Sequence, residues 1–352
     1  MRLNDLLRKA LELKASDVHL TSGVQPIARV HGALIHLNEA RLSSDDTLAI
    51  CKQILTEKEL RQLAEKGEVD SAYSVEGLAR FRVNAFKQRN SCATVLRVVA
   101  DEIPSMETLK LPAIMRTLCE RNRGLILVTG PTGSGKSTSL ASMIDFMNQN
   151  QNRHIITLED PIEYMHSHGK CIVNQRQIGK DSLSYSSALR AALREDPDVI
   201  LVGEMRDLDT ISVAITAAET GHLVLSTLHT IGAAKTVDRV IDVFPPTQQQ
   251  QIRVQFSSVL EAVVSQQILP RTDGKGRVAA FEVMVANSAI RNLIREAKTH
   301  QMQTIIQTSS QDHMITMDKS LIRLYRQGAI SGENLLQFAV DKSFVSREVP
   351  EF

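Results

Sequence analysis

Residues 124–138 read GLILVTGPTGSGKST, an apolar run that enters a glycine-rich turn and then a stretch of helical character. Gly130, Gly135, Lys136 and Ser137 fit the spacing G-x-x-x-x-G-K-[ST]. In such a loop the backbone N–H groups curl around phosphate oxygens, and the following helix turns its positive end toward them. Gly130, Thr132, Gly133, Ser134 and Gly135 would form the cradle. Lys136 would reach the β- and γ-phosphates of ATP, the Ser137 hydroxyl would ligate Mg²⁺, and Thr138 would touch the α-phosphate. The bland alternative is a chance glycine-rich turn, but the strand before it and the helix after it speak for phosphate.

Outward from this loop, HIITLED, DVILVGE and HLVLSTLH are short apolar runs separated by helical stretches, the pattern of buried parallel strands. An α/β domain follows, and in a parallel sheet carboxylates just past the strand ends face the ligand crevice. Glu159, Asp160 and Glu163 end the first run, and Glu204 follows Gly203 at the end of the second. Glu204 is the first candidate for the base that activates water. Glu159 is assigned to magnesium-bound water, and Glu163 joins them as a third candidate. Solvated helix caps are the competing reading of all three. His229 ends the third run, whose strand should neighbour the phosphate-loop strand, so it is placed near the γ-phosphate or the attacking water. His222, at the start of that run, is read as structural. The chain has no N-K-x-D sequence and no D-x-x-G after an apolar strand, which removes a GTPase switch. It also lacks a segment resembling a kinase lid. An ATPase remains.

Residues 1–99 lack this β-α-β regularity. A helix over 3–14 precedes the strands SDVHL, PIARVHG and ALIHL, with Gly23 and Gly32 between them. Helical character returns over 43–66, and SAYSVEG, ARFRVNAFKQRN and CATVLRVVA then alternate as strands with turns at Glu76-Gly77 and Arg89-Asn90. This predicts a small α+β domain. ADEIPSMETLKLP, residues 100–112, is the linker, residues 113–352 are the ATPase domain, and the chain turns wholly helical from about Ser288. Arg80 and Arg82 alternate with Phe81 and Val83, so both project from one strand face, and Arg97 lies on the next strand.

Composition narrows the setting. Lys and Arg number 41 against 40 Asp and Glu, a net charge of +1 that exerts no global pull on nucleic acid or anionic membrane. Cys51, Cys92, Cys119 and Cys171 are widely spaced, which supports neither a zinc site nor a disulfide framework and fits a reducing compartment. No run approaches 18 apolar residues, so no membrane span is expected. The reading is a cytoplasmic protein, peripheral to a membrane through a partner.

Taken in order, GPTGSGKST, ITLEDPIE, DPDVILVGEMRD and GHLVLSTLHT resemble the four boxes of the secretion ATPase superfamily that serves type II and type IV secretion and type IV pili. ASDVHL and RFRVNAF resemble its amino-terminal domain, so the likeness runs from about residue 3 to 345. The short amino terminus, the absence of a tetracysteine insertion and AIRNLIRE at 289–296 resemble its pilus retraction branch. The resemblance implies a PAS-like domain before a RecA-like one, and a homohexamer that binds ATP and Mg²⁺ between domains and neighbouring subunits. It implies Glu204 as catalytic glutamate, Glu159 and Glu163 in the aspartate box, His229 in the histidine box, and Arg80, Arg82 and Arg97 reaching toward nucleotide. The implied function is a motor for pilus retraction and twitching motility at the inner membrane. Its partners would be the membrane-embedded platform protein and an accessory retraction ATPase, with no nucleic acid. In AIRNLIRE, helical spacing puts Ala289, Ile290, Leu293 and Ile294 on a packed face and Arg291, Asn292, Arg295 and Glu296 on an outward one.

Overall fold

The computed structural model describes residues 3–30, 33–37, 40–75, 77–99, 102–274 and 276–349. Gly32, Glu76 of the expected turn and residues 100–101 of the expected linker lie outside these residues. The chain divides into two compact units, Met1–Glu102 and Ile103–Phe352.

In the first unit, α1 (Leu3–Glu12) buries Leu3, Leu6, Leu7 and Ala10. Strands β1 (Ala15–Thr21), β2 (Ile27–Val30) and β3 (Ala33–His36) follow. The helical stretch 43–66 forms two helices, α2 (Ser44–Ile54) and α3 (Glu57–Lys66). Each starts with a reciprocal capping pair, Ser43 with Asp46 and Thr56 with Glu59, and the second cap ends the first helix's run. Strands β4 (Glu68–Val75), β5 (Ala79–Gln88) and β6 (Ser91–Val99) complete an antiparallel sheet of order β3-β2-β1-β6-β5-β4. Arg89 and Asn90 both take positive φ, at 45° and 62°, and so close the β5–β6 hairpin tightly. Phe81, Val83 and Ala85 face the core while Arg82 stays exposed.

The second unit begins with α4 (Ile114–Cys119) and β7 (Gly124–Thr129), then α5 (Lys136–Asn150), β8 (His154–Glu159) and β9 (Ile172–Gln177). Next come α6 (Tyr185–Ala192), β10 (Val199–Val202), α7 (Leu208–Glu219), β11 (Leu223–Leu228), α8 (Ala233–Asp242) and α9 (Pro246–Val259). Strands β12 (Leu260–Pro270) and β13 (Arg277–Val285) precede α10 (Ser288–Arg295), α11 (Met302–Thr308), α12 (Met317–Arg326), α13 (Gly332–Phe338) and α14 (Lys342–Glu348).

The sheet runs β13-β12-β7-β11-β10-β8-β9, parallel throughout except for β13. This is the RecA-like α/β class expected from the sequence, with the phosphate-loop strand near the middle. Every residue of β7, β10 and β11 is buried because helices cover both faces. Leu125 and Leu127 pack toward α6–α10, while Ile126 and Val128 pack toward α4 and α5. Helices α10–α14 supply the helical carboxy-terminal region. No helix among the described residues is long and apolar enough to cross a membrane.

The AIRNLIRE segment departs from expectation at two positions. Ile290, Leu293 and Ile294 are buried, but Ala289 is exposed in the first turn of α10, just after its cap Asn287. Arg291 does not point outward to a partner. Its guanidinium donates to the carbonyls of Ser257 (2.6 Å) and Ser258 (2.8 Å) at the end of α9 and to Glu261 Oε1 (3.0 Å). Those carbonyls end a helix and lack intrahelical donors, so a nearby guanidinium fork is drawn to them.

Candidate nucleotide site

The loop after β7 turns on three glycines with positive φ: Gly130 at 143°, Gly133 at 79° and Gly135 at 83°. At Gly130 a Cβ would collide with the Gln266 carbonyl, so only glycine fits. Gln266, on β12, clasps the loop from below. Its Nε2 donates to the Ser134 carbonyl and its Oε1 accepts from Ser139 Oγ at 2.8 Å. Gly135 then leads into α5, whose first N–H groups have no intrahelical acceptors. The Ser134 hydroxyl is buried without a hydrogen-bond partner. Thr138 Oγ1 lies 3.0 Å from the Tyr164 hydroxyl, and Ser137 is exposed at the helix start. Lys136 is nearly buried. Its Nζ donates to the carbonyls of Gly130 (2.9 Å) and Pro131 (3.0 Å) and lies 3.4 Å from His229 Nδ1. Burial lowers its pKa, and the negative charges of Glu204 and Glu163 oppose that shift. A cation held at such cost on loop carbonyls is poised for a stronger acceptor, and phosphate oxygens are one.

β8 delivers Glu159 to the same end of the sheet. Its carboxylate accepts from Thr157 Oγ1 at 2.6 Å and Gln175 Nε2 at 3.2 Å, and the Glu163 N–H adds a further bond. Burial nevertheless raises its pKa. Glu163 itself is exposed. β10 ends at Val202 and is followed by Gly203, where many phosphate-loop enzymes carry Asp. A Cβ there would lie 2.9 Å from the Tyr185 hydroxyl and 3.1 Å from the Leu158 carbonyl, a tight fit that a side chain enters only if the tyrosine moves.

Glu204 sits one residue on, bridged by two donors: Arg206 at 2.7 Å and His229 Nε2 at 3.2 Å. Burial pushes its pKa up, but the hydrogen bond from Arg206 and the proximity of His229 outweigh it and hold the carboxyl below the usual range. His229 comes from the loop after β11, next to β7 as expected. Its Nδ1 lies 3.5 Å from Thr132 Oγ1 and near the Lys136 ammonium. Lysine can only donate, so Nδ1 accepts and the ring proton sits on Nε2, directed at Glu204. One imidazole thus joins the phosphate loop to the carboxylate. His222 acts only locally, with its Nδ1 2.9 Å from the Ala217 carbonyl at the end of α7.

Lys136, Thr132, His229 and Glu204 are therefore brought together, with Glu159 and Glu163 on the neighbouring strand end. Arg80, Arg82 and Arg97 lie in the other unit. There Arg82 is paired in register with Arg97, and Arg80 with Val99. Arg97 Nε donates to Asp17 Oδ1 at 2.8 Å. Asp17 is buried, which raises its pKa, but hydrogen bonds from Arg97 and Ser16 bring it below the ordinary value.

Several contributors carry no obvious sequence signal. Gln266, Thr157 and Gln175 are polar residues inside strands, and Tyr185 opens a helix. Arg206 had a signal, two residues after Glu204 within GEMRD.

A phosphate-binding strand–loop–helix in a parallel sheet, with carboxylates at adjoining strand ends, defines a nucleotide-binding phosphate-loop ATPase. Residues 1–337 match the family model described as Type II/IV secretion system protein, and the chain belongs to that family. It is 48% identical over 334 residues to the Type IV pilus retractation ATPase PilT of Pseudomonas aeruginosa, covering 95% of this chain and 97% of that protein. A Twitching motility protein of Neisseria gonorrhoeae is 47% identical over 327 residues, covering 91% of this chain and 87% of the relative. The crystal structure of the pilus retraction motor PilT with bound ADP matches with a TM-score of 0.93 at 48% identity, covering 99% of each chain.

Proposed function

We propose that this chain is an ATP-hydrolysing motor of type IV pilus retraction, the activity behind twitching motility. The observation that carries this reading is the Lys136–His229–Glu204 constellation at the phosphate loop, within a chain similar to retraction ATPases over almost its whole length.

In this reading the loop from Gly130 to Thr138 holds the phosphates, and Lys136 exchanges its carbonyl partners for β- and γ-oxygens. Glu204 orients and deprotonates the attacking water, while His229 reports the γ-phosphate to it. Mg²⁺ fits the residues present, because it favours one or two protein oxygens alongside phosphate and water. Ser137 offers an exposed hydroxyl, and Glu159 a carboxylate for the metal's waters. Bound there, the ion neutralises charge developing on the phosphate oxygens. The chain works as a homohexamer in the cytoplasm at the inner membrane, against the pilus platform protein and alongside an accessory retraction ATPase. Glu163 serves the same aspartate box, and Arg80, Arg82 and Arg97 complete sites from the amino-terminal domain.

Steady-state ATP hydrolysis tests the chemistry. Glu204→Gln should lower kcat by roughly 10²–10⁴ while ATP binding persists, and single-stranded DNA should leave the wild-type rate unchanged. Strong stimulation by DNA, or full activity in Glu204→Gln, would overturn the reading.

A further inference from the structure

The loop that carries His229 runs directly into α8 through Gly232, whose φ is 94°. Two consecutive N–H groups at this junction are taken by two side chains from the sheet. The Gly232 N–H donates to Ser265 Oγ at 2.9 Å, and the Ala233 N–H donates to Glu282 Oε1 at 2.7 Å. Ser265 and Glu282 lie directly opposite each other on β12 and β13. Both are buried, Glu282 to 2% exposure. The second Glu282 oxygen accepts from the Met317 N–H at the start of α12, at 3.4 Å.

A buried carboxylate is costly, and burial raises the pKa of this one. The helix N-terminus offsets part of that cost. A strand position in a packed core would be filled more favourably by an apolar residue, unless the contact it makes matters. The contact fixes the chain three residues beyond His229, whose imidazole must sit within about 3.5 Å of both Glu204 and the loop.

We infer that Ser265 and Glu282 form a cross-strand clamp that positions His229 for turnover. They are positioning residues and touch no nucleotide. The inference rests on the role given to His229 in ATP hydrolysis.

The test is a set of double-mutant cycles on kcat and KM for ATP, using the full chain. Glu282→Ala removes the acceptor of the Ala233 N–H, and Ser265→Ala removes the acceptor of the Gly232 N–H. Each should lower kcat by roughly tenfold, within the range of coupling between neighbouring groups, and leave KM unchanged. In a His229→Ala background neither should cost anything further. Losses that multiply across the two backgrounds would overturn the clamp and leave a packing role. Full activity in His229→Ala would instead sink the reading of His229, and the clamp with it. Should Glu282→Ala fail to fold by circular dichroism, Ser265→Ala carries the same cycle alone.

Discussion

Glu204 is gripped by two donors of different character. Arg206 is charged at every accessible pH, and its hydrogen bond is the largest of the effects that hold the Glu204 carboxyl down. The arginine therefore does more to keep the carboxyl ionised, and it does so against burial. A base must be ionised to act, so the acid limb of the kcat/KM profile should fall below the ordinary carboxylate value of 4.5. Arg206→Ala removes the hydrogen bond and the charge while leaving burial in place. The limb should then move to higher pH, which pH–rate profiles of the two proteins will show. An unmoved limb would mean that another group titrates there. Gly203 is crowded as well, since a side chain there would have to displace the Tyr185 hydroxyl and press on the Leu158 carbonyl. Lys136 and Glu204 are legible in sequence because each follows an apolar strand at fixed spacing. The return of Arg206 onto Glu204 across one residue is a matter of loop shape, which no periodicity encodes.

At the level of elements, legibility follows burial on two faces. β7, β10 and β11 are apolar at nearly every position because helices cover both sides, and such runs declare themselves. β12 carries Ser265, Gln266 and Gln267 in succession, and these polar residues disguise a buried strand. Gln266 and Ser265 are polar there because they hold the phosphate loop and the His229 junction. α10 was legible as an amphipathic helix, but its charged face divides. Arg291 closes the end of α9, whereas Arg295 is exposed. Leu293 and Ile294 are core residues, so replacing them tests folding rather than force transmission. The arginines separate the two. Arg291→Ala should destabilise by about 1.5–3 kcal/mol, the usual worth of hydrogen bonds to a charged group, seen as a lowered Tm. Arg295→Ala should keep both Tm and ATP hydrolysis and reduce retraction in cells. Equal Tm for the two variants would remove the capping role of Arg291.

For the whole molecule, the proposed role of the amino-terminal arginines calls for a test. Arg97 is committed to Asp17, while Arg82 opposite it projects into solvent from a packed strand. In the proposed ring, Arg82 is therefore the arginine to test as a donor to nucleotide. Mixed rings decide the matter. Lys136→Ala lacks a working loop but keeps Arg82, and Arg82→Ala keeps the loop, so each alone should be inactive. In a ring of head-to-tail contacts assembled from equal amounts, about a quarter of the interfaces join the intact loop of one variant to the intact arginine of the other. Hydrolysis should therefore reappear on mixing if Arg82 acts across the interface, because those sites are complete. If Arg82 serves the loop of its own chain, every site in the mixture lacks one group or the other, and mixing restores nothing.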